Sequence, residues 1–272
     1  MHFPVIVIQL LLGTFWSNRC DSLLLGSGPP ATFFEHGLRY TKEPVLIQGP
    51  ESTYIVQEQL GQGLFGRVYR IQNQDNQLEF AMKIAGSRRF EMQNEIDIMQ
   101  CLKDLQIRNV IDLKESFEVC NYKVVIMELA SYSLREMDLL NSEPEFSLLS
   151  LVDQMEDLAE SIQKMHMNGL THNDIHSGNV LIGKDRIRST LLLADFGASS
   201  RFEPSNFDLE HTCDDYKKYV KFDWKRFLTL FGNLLHDSPK EKEMVNGFES
   251  KETYSDVKIL IKQVRGSLLD HT

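Results

Sequence analysis

Cysteine is scarce in this chain, with four in 272 residues and no C-x-x-C pair. That density excludes a small disulfide-stapled scaffold, and no zinc-ligand spacing is present. Cationic excess is missing as well. Lys and Arg total 29 against 39 Asp and Glu, a formal net charge of -10, which excludes a general phosphate-backbone binder and any expected nucleic-acid partner. Local cations for nucleotide phosphates remain compatible with it. Asn-X-Ser/Thr sequons do not occur, so glycosylation gives no information on secretion. Beyond residue 16 no run is long and apolar enough to span a bilayer, and no stable membrane anchor is expected. No internal repeat is visible. The remaining composition, 42% apolar and 25% charged, is that of a globular protein with a sizeable core.

The first residues depart from that average. Phe3 to Trp16 is apolar except at Gln9, Gly13 and Thr14, a length that suits the core of a signal peptide. Small residues at Cys20 and Ser22 then predict cleavage after Ser22, or after Cys20. Residues 1–22 are therefore expected as a leader and the product as secreted or lumenal. No Lys or Arg precedes the apolar run, and a strand or helix of the fold is the alternative. Loss of Cys20 leaves Cys101, Cys120 and Cys213; a Cys101–Cys120 bridge and three free thiols both remain open. Residues 23–53, with Gly26, Gly28, Pro29, Pro30, Gly49 and Pro50, read as an extension or linker.

From Tyr54 onward the pattern sharpens. Tyr54–Val56, Val68–Ile71 and Glu79–Ile84 predict strands, Arg88–Leu105 a helix, and Val110–Leu113 and Lys123–Met127 further strands. Leu151, Met155, Leu158, Ile162 and Met165 mark one face of a helix over Leu148–Met167. Val180–Ile182 and Leu191–Ala194 follow as strands, and Phe222–His236 as a second long helix. A strand-rich part followed by a helix-rich part predicts an α+β protein with two lobes.

Three motifs carry chemistry. Gly61-Gln62-Gly63-Leu64-Phe65-Gly66-Arg67-Val68 is a G-x-G-x-x-G-x-V run. Glycines there let backbone amides approach phosphate oxygens, although the run alone is also an ordinary hairpin turn. A strand, not a helix, follows the third glycine, which disfavours a dinucleotide-binding fold. His172-Asn173-Asp174-Ile175-His176-Ser177-Gly178-Asn179 has the form H-x-D-x-x-x-x-N, and Asp195-Phe196-Gly197 lies beyond it. All three arise together by chance on the order of once in ten thousand such chains.

In combination and order these motifs resemble the protein-kinase superfamily, from about Tyr54 to the C-terminus. The resemblance implies a two-lobed kinase-like domain over 54–272, with a small antiparallel sheet and one helix in an N-lobe (54–130). It implies a mainly helical C-lobe (131–272). ATP and Mg²⁺ are the implied cofactors and a protein the implied acceptor. Lys83 matches the lysine that holds the α- and β-phosphates, and Glu95 its helix carboxylate, with Glu91 as the alternative. Asp174 matches the residue that accepts or orients the acceptor hydroxyl, and Asn179 and Asp195 the metal ligands. Leu60, Val68, Ala81 and Leu181 match the walls of an adenine pocket, Met127 its back, and Glu128 and Ala130 the hinge groups that bond the base. Gly61, Gly63 and Gly66 belong to the phosphate-covering loop.

Some positions depart from the family pattern. Asn173 stands where an arginine pairs with a loop phosphate in many kinases. His176 replaces a common lysine and resembles small-molecule kinases of the aminoglycoside-phosphotransferase type; it is expected to face the transferred phosphate. Asp223, which resembles the aspartate opening the central C-lobe helix, stands only 28 residues beyond Asp195. No Ala-Pro-Glu lies between them. The implied activity is Mg-ATP-dependent transfer to a protein Ser or Thr hydroxyl. A small-molecule kinase and a nucleotide-binding pseudokinase scaffold are the alternatives.

Overall fold

Alternation of buried and solvent-facing residues builds a sheet first. A computed structural model describes residues 6–8, 45–63, 66–85, 89–119, 122–139, 147–184, 189–202, 214–248 and 253–270. Most of the expected leader, the extension up to residue 44, Leu64, Phe65, Cys20, Cys120 and Cys213 lie outside them. The chain divides into two compact units, residues 1–96 with 112–129 and residues 97–111 with 130–272.

The first unit holds a seven-stranded sheet. Its strands are β1 (Ile6–Ile8), β2 (Val45–Gln48), β3 (Thr53–Gly63), β4 (Gly66–Asn73), β5 (Glu79–Ala85), β6 (Leu113–Val119) and β7 (Tyr122–Glu128), in the order β1-β2-β3-β4-β5-β7-β6. All neighbours run antiparallel except β1, which lies parallel to β2. β1 falls within the expected leader. β2 falls within the expected extension, so the sheet begins before Tyr54. Val45 and Ile47 are buried with Tyr54, Val56, Tyr69, Ile71, Met82 and Ile126 in one apolar cluster, which explains why this short segment is drawn into the sheet. The β3–β4 register shifts twice between Val56 and Gly61; such bulges bend and twist a strand, here just before the glycine run. Helix α1 (Arg89–Asp104) begins in this unit. The strand expected over Val110–Leu113 is displaced: β6 starts at Leu113, and Val110 makes only an isolated bridge to Leu193.

The second unit contains short sheets and helices: β8 (Tyr132–Ser133), α2 (Leu134–Leu139), α3 (Leu148–Met167), β9 (Leu170–Thr171), β10 (Val180–Lys184), β11 (Ser189–Leu193), β12 (Ser200–Arg201), α4 (Asp214–Leu234), α5 (Pro239–Asn246) and α6 (Tyr254–Leu269). α3 has the span its periodicity predicts. Ser147 caps it by accepting the Ser150 N–H at 3.2 Å, and Leu151, Val152, Met155, Leu158 and Ile162 are buried. α4 starts eight residues before the expected Phe222. Asp214 and Asp215 suit the positive end of a helix, and buried Tyr216 extends the apolar face upstream. Trp224, Phe227 and Phe231 form its most buried edge. α6 reaches α3 through Arg265, whose Nη2 donates to Asp153 Oδ1 at 2.8 Å and Glu156 Oε2 at 2.5 Å. Cys101 is a half-buried free thiol, and the Cys101–Cys120 alternative lies outside the described residues through Cys120.

Candidate active site

The first unit assembles its polar pair within the sheet. β5 alternates Ala81, Lys83 and Ala85 on one face, and Lys83 pairs across the sheet with Val68 and Val125. Lys83 Nζ donates to both oxygens of Glu95, at 2.8 and 2.7 Å, and both residues are buried. The structure thus pairs Glu95 with Lys83. Removing water from two charges costs several kcal/mol, and the contact to both carboxylate oxygens helps to offset that cost.

Around it stand the other expected residues of this unit. Ala81 and Met127 are buried neighbours in the β5–β7 register, Val68 is half-buried and Leu60 exposed. Gly61 pairs with Val68 and Gly63 with Gly66 at the tip of the hairpin. Gly66 has φ 149, and a Cβ there would strike the Ile84 carbonyl oxygen, so this glycine is required by close backbone approach. Glu128 ends β7, its N–H donating to Asp112 O at 3.0 Å and its Oε1 accepting from Asp112 N–H at 2.7 Å. Burial raises the Glu128 carboxyl above its ordinary range, and the Asp112 amide partly offsets this.

In the second unit a single carboxylate organises the catalytic loop. Asp223, fully buried in α4, accepts the N–H of His172 (2.8 Å), the N–H of Asn173 (2.7 Å) and His166 Nε2 (3.0 Å). His172 Nδ1 accepts the Asp174 N–H at 3.2 Å, so Nε2 carries the proton toward Ala194 O at 3.1 Å. Burial holds the His172 imidazole below its ordinary range, with Asp223 opposing. The ring packs edgewise on Phe196, at 5.1 Å between centroids. His166 and His172 therefore serve the loop scaffold.

Asp174 and Asn179 come together directly. Asn179 Nδ2 donates to Asp174 O at 3.0 Å and to Asp174 Oδ2 at 3.1 Å, which leaves the Asn179 amide oxygen pointing away from the carboxylate. Asp195 adopts φ 63, a left-handed conformation that is costly outside glycine and is retained where the fold imposes it. One amide oxygen and one carboxylate make a hard oxygen pair that fits Mg²⁺, which takes few protein ligands and completes its shell from water and phosphate. Among the described residues no group of three or more His, Cys, Asp or Glu is arranged to hold a metal unaided. Leu181 and Ala130 are half-buried here, and Ser131 N–H donates to Ile182 O at 2.8 Å.

His176 has its two ring nitrogens in different surroundings. Its Nδ1 accepts the Gly178 N–H at 2.9 Å, and its Nε2 faces Asp174 Oδ2 at 3.5 Å. Asn173 does more than replace an arginine. Its Nδ2 donates to Ala198 O at 2.8 Å and Ser200 Oγ at 2.9 Å, gripping the segment that follows Asp195. That segment is also held by Ser200–Thr171 pairing, by Phe202 N–H to Gly169 O at 2.8 Å, and by the Phe202 ring packing tilted against Tyr216, 5.2 Å between centroids. Sequence reasoning missed this grip; its sign was an amide beside Asp174, at a position where Asn tolerates positive φ.

The first unit thus holds a glycine-tipped hairpin and a buried Lys–Glu pair, and the second a loop carrying Asp174 and Asn179 ahead of Asp195. The family described as Protein kinase domain matches residues 54–220, more than half of the chain, and the chain belongs to that family. It is 27% identical to human Myosin light chain kinase family member 4 over 69% of its own length and 48% of that protein. It is 25% identical to the Danio rerio Serine/threonine-protein kinase H1 homolog over 59% of its length and 38% of the relative. Human Dual specificity tyrosine-phosphorylation-regulated kinase 3 is 29% identical over 64% of the chain and 28% of the relative. The chain spans half or less of the length of these relatives.

Proposed function

We propose that the chain transfers the γ-phosphate of Mg-ATP to a Ser or Thr hydroxyl of a protein. The observation that carries this reading is the closed Lys83–Glu95 pair, 2.7–2.8 Å on both oxygens, which holds the ammonium ready for the nucleotide phosphates. Lys83 would bind the α- and β-phosphates. Mg²⁺, held by Asn179 and Asp195, would supply neutralisation of phosphate charge. Asp174 would orient the acceptor hydroxyl and take its proton; the Asn179 amide on Oδ2 leaves Oδ1 to meet it. In the first unit Leu60, Val68, Ala81 and Met127 would contact the adenine and the Glu128 backbone would bond its edge; in the second, Leu181 and Ala130 are the positions that match adenine contacts of the family.

The test is phosphotransfer from ATP to generic protein acceptors, run beside sugars and aminoglycosides. Asp174→Asn should lower turnover by at least about a hundredfold with nucleotide affinity nearly intact, while Asp195→Ala should weaken Mg-dependent ATP binding. Transfer confined to the small molecules would refute the protein-acceptor reading. Normal turnover in both variants would refute the assignment of roles.

We also propose that residues 1–22 are removed on entry to the secretory pathway, a reading supported by the Phe3–Trp16 apolar run. N-terminal sequencing of protein from a eukaryotic cell should find a start near Leu23. An intact Met1 on cytosolic protein would reject it.

A further inference from the structure

Arg135 stands in the first turn of α2, and its backbone N–H donates to Ser177 O at 3.0 Å. The start of that helix is thereby tied to the loop that carries Asp174. The guanidinium approaches Gly178 closely. A Cβ built on Gly178 would come within 3.0 Å of Arg135 Cζ, 3.1 Å of Arg135 Nη2 and 2.9 Å of His176 Cε1. With no side chain at 178, the guanidinium end of Arg135 and the His176 imidazole both lie close against the loop backbone. Arg135 is exposed. Among the described residues its guanidinium has no hydrogen-bond or ion-pair partner. The carboxylate next to it, Glu136, is turned to Ser133, accepting from its N–H at 2.7 Å and its Oγ at 2.9 Å.

An exposed, unpaired guanidinium beside the loop that carries Asp174 suits a planar or tetrahedral oxyanion, a carboxylate or a phosphate. The nucleotide phosphates already have Lys83 and the metal in the function proposed above. The acceptor has only Asp174. A chain of net charge -10 also repels an acidic acceptor unless a local cation meets it. We propose that Arg135 is a specificity-determining residue, binding a carboxylate that flanks the acceptor hydroxyl, and that the enzyme prefers acidic protein segments. This rests on the protein-acceptor reading.

The experiment uses the full chain and three synthetic serine peptides that differ only in Glu, Ala or Arg around the acceptor. Wild-type KM should be roughly fivefold lower for the Glu peptide than for the Ala peptide. Arg135→Glu should reverse that order in favour of the Arg peptide, and Arg135→Lys should keep part of the acidic preference. The change should fall on KM for peptide and not on KM for ATP. Phosphorylation with no charge preference, or an unchanged preference in Arg135→Glu, overturns the proposal while leaving the protein-acceptor reading intact. A rise in KM for ATP instead assigns the guanidinium to the nucleotide and also overturns it. ATP hydrolysis with none of the peptides phosphorylated refutes the protein-acceptor reading itself.

Discussion

Asn173 holds φ 69 while its side chain grips Ala198 and Ser200, and the two burdens separate by mutation. Asn173→Gly keeps the left-handed backbone easy and loses only the grip, an expected cost of about 1–2 kcal/mol. Asn173→Ala loses the grip and adds backbone strain of roughly 1–2 kcal/mol, so it should unfold at the lower temperature of the two. Because the grip needs no phosphate, phosphatase treatment should leave wild-type turnover unchanged; silenced enzyme would show that a phosphate holds this segment after all. Lys83 and Glu95 make the complementary case. Lys83→Met strands a buried carboxylate and should cost about 3–5 kcal/mol, whereas Lys83→Met with Glu95→Gln should recover much of that loss. Denaturant midpoints of the two variants test this, and equal losses would mean that the pair is not coupled. These residues were legible in the sequence because their chemistry is scarce and their order fixed. Arg135 and the Asn173 grip were not, since each depends on a neighbour distant in sequence, Gly178 and Ser200.

Elements were readable where period and length agreed. α3 has twenty residues with a stable apolar stripe and a serine cap, and its bounds match the pattern. β2 is four residues inside a glycine- and proline-rich stretch, and only its partner β3 shows that Val45, Leu46 and Ile47 are buried. The start of α4 escaped for a related reason: Lys217, Lys218 and Lys221 are exposed, and they dilute the apolar period that Tyr216 continues. A chain beginning at Thr53 should therefore lose roughly 4 kcal/mol relative to one beginning at Tyr40, the worth of about two buried aliphatic side chains. Equal melting temperatures for the two chains would place β2 outside the cooperative structure.

At the level of the whole molecule, the two-unit plan followed from a change in periodicity near Ser131, and the family model covers both sides of it. One property of the whole fold is its response to acid. His172 titrates near ~6.5 when unfolded, and burial lowers that value in the native state. Below ~6.5 the unfolded chain binds more protons, so the stabilising contribution of His172 is present above that pH and is lost as pH falls toward the lowered native value. Melting temperature should drop more between pH 7 and 5 in wild type than in His172→Gln; parallel curves would show that another group governs the response.

Asp223 gives the molecule a clock. The amide protons of His172 and Asn173 point into one fully buried carboxylate, and no local fluctuation exposes them without stranding that charge. In deuterated solvent they should rank among the slowest to exchange, at a rate set by global opening of the second unit. Asp223→Asn would quicken both together, so that the interval over which a molecule keeps its catalytic loop intact becomes a single measured number.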